Sequence, residues 1–146
     1  MKEFTTVIRR FFDDENLHYM TKDAGEYTDT IIGFRMEDGS AIRVHVMVDD
    51  DKTVTMGVNP LIHVPDEKLA AVMIKANEDN RNQFFRLWVD TDQDLTMCYD
   101  FPGGLTEESL TACLKEMFQL FILAIDEYYA EYAQFIYSNN DKKATA

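Results

Sequence analysis

Hydrophobic and polar positions along this chain change period several times, and each change marks an element. Phe4, Val7, Ile8, Phe11 and Phe12 recur at steps of three and four, which makes one apolar helix face, with Arg9 and Arg10 on the other side. The run Asp13-Asp14-Glu15 opposes the negative end of a helix dipole, so the helix is expected to stop there. Residues 17–20 suit a short strand or an extended connector. From residue 26 to 58 the period falls to two. Residues 27–36, rich in β-branched and aromatic side chains, predict a strand. Glu37-Asp38-Gly39-Ser40 predicts a hairpin turn, because Asp and Gly both tolerate positive φ. In residues 41–48, Ile42, Val44, Val46 and Val48 alternate with Arg43, His45 and Met47. Asp49-Asp50-Asp51-Lys52 is the next turn, and residues 53–59 a third strand with Val54, Met56 and Val58 inward.

Asn59-Pro60 and Val64-Pro65 bracket a connector, since a residue before proline is driven away from helix. Pro65-Asp66 opens a second helix with Leu69, Val72, Met73 and Ala76 on its apolar face, ending near residues 77–80. Residues 84–89 return to period two, with Phe85, Leu87 and Val89 inward and Phe84, Arg86 and Trp88 outward. The Asp90–Asp94 turn leads to a partner strand with Leu95, Met97, Tyr99 and Phe101 inward. Pro102-Gly103-Gly104 ends it, and Thr106 caps a last helix that runs to about residue 138, with Glu107 and Glu108 in its first turn. Residues 139–146 read as a frayed tail. The order α-β-β-β-α-β-β-α, without repeat or linker, predicts one domain over residues 1–138. The expected fold class is α+β: two layers, an antiparallel sheet of about five strands covered on one face by helices.

The length of 146 residues fits a single domain, and 46% apolar residues supply a packed core. The 14 Lys and Arg against 27 Asp and Glu leave a net charge of −13, which argues against nucleic acid and anionic membrane as partners. The first sixteen residues lack the apolar core of a signal peptide, and the run 118–125 is too short to span a bilayer, which takes ~20 residues. Two cysteines, Cys98 and Cys113, exclude a disulfide scaffold and favour a reducing compartment, so a soluble cytoplasmic protein is expected.

No constellation of residues declares a chemistry. Asp90, Asp92 and Asp94 have the first spacings of an EF-hand loop, but Leu95 and Phe101 stand where Gly and Glu are required. A hairpin turn is the better account, and Asp49 to Asp51 read the same way. His18, His45 and His63 share no ligand spacing, so no metal is expected. Cys98 falls on the outward phase of its strand and could share a face with His45, yet a nucleophilic thiol also needs a depressed pKa and an oriented base. Gly103-Gly104 lacks phosphate-loop spacing and is followed by two glutamates. No cofactor and no catalytic residue are expected.

Two surfaces carry the remaining expectations. The last helix bears two apolar stripes. One is expected to cover the sheet and the other to meet Phe11 and Phe12 or a partner. A helix of this length would overhang the sheet, so Tyr128, Tyr129, Tyr132, Phe135 and Ile136 are expected to support self-association as a homodimer. The outward strand phase presents Arg43, His45, Met47, Arg86 and Trp88, and Trp and Arg are frequent hot-spot residues. That face is expected to bind a partner protein. The alternative is a half-buried Trp88 covered by the loop at residues 61–64 or by the last helix.

The arrangement resembles the YbjN family, whose domain shares the fold of type III secretion chaperones. The resemblance spans residues 4–137. It rests on the Ile42 to Val48 strand ending in an acidic turn and on the Pro65-initiated helix ending in Ala76-Asn77-Glu78-Asp79-Asn80. Phe85-Arg86-Leu87, the strand pair and the long final helix complete it. It implies a bacterial cytosolic protein without known catalytic residues, a regulator or chaperone-like binder of protein segments. The competing class is a small-molecule-binding or enzymatic domain with a pocket between sheet and helices.

Overall fold

The structure, a computed structural model, describes residues 2–49, 52–82 and 84–138; the expectations for Asp50, Asp51 and the 139–146 tail lie outside them. It is an α+β fold with three helices and one antiparallel sheet. Helix α1 (Lys2–Asp14) precedes β1 (Met20–Asp23), β2 (Tyr27–Arg35), β3 (Ala41–Asp49) and β4 (Val54–His63). A 3-10 turn at Asp66–Lys68 leads into α2 (Leu69–Asp79), followed by β5 (Arg86–Val89), β6 (Asp94–Asp100) and α3 (Glu107–Tyr137). The strands lie in the order β1-β2-β3-β4-β6-β5, all neighbours antiparallel.

The sheet has six strands where the sequence pattern predicts about five. The addition is β1, four residues reading Met-Thr-Lys-Asp, which carry no apolar alternation. Its strand character comes from pairing, Met20 opposite Ile31 through Asp23 opposite Thr28. The second difference lies in residues 59–63. Here β4 continues through the expected connector, its pairing with β6 breaking between Val58 and Ile62 and resuming at Ile62 opposite Leu95. A bulge is where proline is tolerated inside a sheet, because its missing N–H costs no ladder bond there. The third is the Asp38-Gly39 turn, in which only Gly39 takes positive φ, at 91°. Met36 N–H donates to Ser40 O at 2.8 Å and closes the hairpin.

The inward phase of the strands is as read. Val44 faces Val58, Val46 faces Met56 and Val48 faces Val54 across the β3–β4 ladder, all fully buried. Leu87 and Met97 extend this surface, while Val89 and Tyr99 are half-buried at its margin. Helix α1 turns its predicted face, Phe4 to Phe12, onto this layer, with every named apolar side chain buried. Phe118 of α3 packs on Phe11 and Phe12 at ring-centre distances of 5.6 and 5.3 Å. Helix α3 begins at a capping box: Thr106 accepts from Ser109 N–H at 3.1 Å, and Thr106 N–H donates to Ser109 Oγ at 2.7 Å. In α2, Val72 and Ala76 are buried, but Met73 is exposed rather than on the apolar face.

The C-terminal half of α3 overturns the expected overhang. Its 31 residues span ~46 Å, and α2 and the β2–β3 hairpin meet its C-terminal half. Tyr132 and Ile136 are buried, and Tyr128, Tyr129 and Phe135 are half-buried against the core. Tyr132 Oη donates to Asp79 of α2 at 2.6 Å, and Tyr129 Oη donates to Asp38 of the hairpin at 2.6 Å. The Lys75 ammonium lies over the Tyr132 ring and pairs with Glu131 at 2.6 Å. These aromatics therefore hold the domain together, and the surface argument for self-association through them falls away. Among the described residues no helix is long and apolar enough to cross a membrane.

Candidate functional site

Helices α1 and α3 pack on the inward phase of the sheet, while α2 flanks the edge strand β5, where its Met73 and Asn77 line a shallow cavity with Trp88; the remaining outward phase of β2 to β6 forms a side-chain layer. Register builds that layer row by row. Ile31 lies beside His45, His45 beside Gly57, and Gly57 beside Cys98, which in turn pairs with Arg86. One row over, Asp29 pairs with Met47 and Thr55 with Asp100; on the other side Trp88 pairs with Thr96. The five residues expected to face a partner thus share one face. Arg43 is exposed, Met47 is 38% and Trp88 39% exposed, and His45 is half-buried. Phe84 is 79% exposed but lies outside β5, which starts at Arg86. Leu61, Ile62 and Val64 are buried in the core, while Asn59 donates to Thr96, the cross-strand neighbour of Trp88, at 2.7 Å.

Arg86 organises one half of the face. Its guanidinium lies 5.1 Å from the Trp88 ring centre, donates to Asp100 at 2.7 Å and reaches Cys98 Sγ at 3.1 Å. Each contact is at the surface and worth about 1 kcal/mol or less. Arg86 shelters Cys98, which is 4% exposed although it points outward. Burial raises the Cys98 thiol pKa, and the Arg86 charge offsets only part of that.

The other half contains a group that sequence reasoning missed. Asp29 Oδ2 contacts His45 Nδ1 at 2.8 Å, while Asp29 Oδ1 is buried without a partner. Asp29 and His45 are sixteen residues apart, and only the β2–β3 register makes them neighbours. His45 and Cys98 therefore share one cross-strand row with Gly57 between them, and Asp29 reaches His45 diagonally from the next row. The imidazole has an orienting carboxylate, but the thiol is covered and its pKa is raised, the reverse of what nucleophilic attack requires.

A second missed residue is Asn80. Its side-chain amide donates to Leu87 O and accepts from Leu87 N–H, both at 2.7 Å. Antiparallel pairing turns alternate peptide groups of an edge strand outward, and Asn80 satisfies one such pair on β5. The sequence marks Asn80 only as the end of the Ala76 to Asn80 run that carries the family resemblance, and its bond to β5 is not readable there, because an Asn after a helix looks like an ordinary terminus.

The Asp90–Asp94 segment forms the expected hairpin turn. Carboxylate oxygens of Asp90, Asp92 and Asp94 lie within 4.8 Å of one another. Two of them are already engaged: Asp90 accepts from the N–H groups of Asp92 and Asp94 at 2.9 and 3.0 Å and from Asn59 at 2.9 Å. Asp94 contacts His63 Nδ1 at 2.8 Å. The Asn59 hydrogen bond, followed by the Asp94 amide, lowers the Asp90 pKa. Cys98 and Cys113 are free thiols.

No protein-family model and no curated protein matches this chain.

Proposed function

We propose that this protein is a non-enzymatic, YbjN-like binding module of the bacterial cytoplasm, a regulator or chaperone-like protein that holds a partner segment on the open face of its sheet. The single observation that carries the reading is the exposed Arg86–Trp88 stack on the outward side of the edge strand β5. An amphipathic Trp and a guanidinium held by weak contacts offer large contact area at small rearrangement cost. Exposed Arg43 makes no ion pair among the described residues, so the partner segment is an apolar stretch carrying a carboxylate that Arg43 meets. Met47 beside it supplies an adaptable apolar contact.

The test is capture from the native cytosol with wild-type protein and with Trp88→Ala and Arg86→Glu variants whose far-ultraviolet spectra are unchanged. A partner retained by wild type and lost by both variants supports the reading. A partner retained equally by all three overturns it.

A further inference from the structure

The margin between α3 and the sheet edge carries the opposite character to the open face. Here two surface cavities of about 380 and 770 Å³ share Leu123. The floor is apolar: Leu17, Phe34 and Ile122 are only half-buried, and Leu123 is 64% exposed. From Gln119 to Ala133 the α3 wall of the two cavities runs ~20 Å. That is the length of a fourteen-residue helix.

The rim is acidic. Glu15 stands at one end, and Glu37, Asp126 and Glu127 at the other. None of these four carboxylates is paired with a basic side chain among the described residues. Arg35, the one cation lining the groove among the described residues, donates to Gly39 O at 2.9 Å. Unpaired carboxylates around exposed leucine and half-buried aromatic surface attract a cation with an apolar stem or neighbour. The net charge of −13 adds long-range attraction of the same sign.

We propose that this groove is a second docking site, separate from the open sheet face, and that it takes an amphipathic helical segment with leucine-like side chains inward and lysine or arginine along its flanks. Partner leucines cover Leu123 and Ile122, and partner cations meet Asp126 and Glu127 on one flank and Glu15 or Glu37 on the other. Binding here does not use Trp88 or Arg86, so it stands or falls independently of the open face.

A fluorescein-labelled helical peptide of leucine and lysine, titrated against the full chain and read by anisotropy, tests this. Its leucine–glutamate counterpart serves as control. The lysine peptide binds and the glutamate peptide does not. Leu123→Asn weakens binding about tenfold or more, because one leucine-sized contact is lost. Asp126→Lys with Glu127→Lys weakens it at least as much. Asp92→Lys with Glu67→Lys, exposed positions remote from the groove, changes net charge equally and weakens it far less. Circular dichroism confirms that each variant is folded. Equal losses from the groove and remote charge pairs would mean attraction to net charge alone and would overturn the site. So would unchanged binding to Leu123→Asn, or light scattering that shows this face closed by a second copy of the chain.

Discussion

Val46 and Met47 are neighbours on β3, yet Val46 is 1% exposed and Met47 38%. The same contrast runs along Ile42 to Val48 and divides the sheet into two surfaces built from alternate residues of the same strands. The inward surface meets α1 and α3 through Val, Met and Phe side chains. The outward one carries the His45–Asp29 pair, the Arg86–Trp88 stack and Arg43, unpaired among the described residues. Strand period two, together with helices on one side only, places stability on one surface and leaves the other for contact. The inward side tolerates little change in volume. The outward side holds only surface contacts around Arg86 and the Asp29–His45 pair, and leaves Arg43, Met47 and Trp88 exposed.

The strongest way to break this contrast is on the inward side. Phe121 is fully buried and meets Phe85 edge-on at a ring-centre distance of 5.2 Å. Phe121→Ala should cost about 3–5 kcal/mol, read from urea unfolding. A loss under ~1 kcal/mol would mean that α3 does not seal the core.

Tyr132→Phe comes next. It keeps the ring but removes the hydrogen bond to Asp79, and should cost about 1.5–3 kcal/mol. Burial, with the Asp79 bond second, raises the Tyr132 pKa above its ordinary 10.0. In the unfolded chain the phenol ionises near 10, while in the fold it stays protonated. Stability is therefore unaffected by this group below pH 10 and falls as pH rises above it. The variant should show a shallower alkaline decline in unfolding free energy.

Asn80→Ala should cost about 1 kcal/mol and speed hydrogen exchange at the Leu87 amide, which loses its partner. Unchanged exchange would show that the β5 edge is protected by other means. On the outward surface, Met47→Thr should move stability by no more than ~0.5 kcal/mol. A larger loss would show that this face is structural.

The smallest effect is in acid. Asp38, at the β2–β3 hairpin, has its pKa lowered from 3.8, chiefly by the Tyr129 hydroxyl. A lowered carboxylate pKa adds stability above 3.8 that is lost as pH falls through the folded value. Tyr129→Phe should lower unfolding free energy slightly across the neutral plateau and flatten its dependence on pH below 4, the difference from wild type closing as Asp38 becomes protonated.

Much of this architecture is legible in the residues alone, and for one reason: the relevant physics is local. The apolar period of α1, the alternation of β3, the proline before α2 and the Thr106 cap each act within a few residues. Phase followed from alternation, so Arg43, His45, Met47, Arg86 and Trp88 could be assigned to one surface before any coordinates.

What tertiary structure alone decided depends on partners distant in sequence. The polar segment β1 is a strand only because β2 offers it hydrogen bonds, and β4 runs past Pro60 only because β6 accepts a bulge there. Asp29 reaches His45, and Arg86 covers Cys98, through cross-strand register. Tyr132 and Ile136 looked like surplus on a helix too long for its sheet, and α2 with the β2–β3 hairpin brought them inside. An apolar helix position specifies that something must cover it. Only chain packing specifies what does, because the covering residues approach from elements whose placement local pattern does not encode.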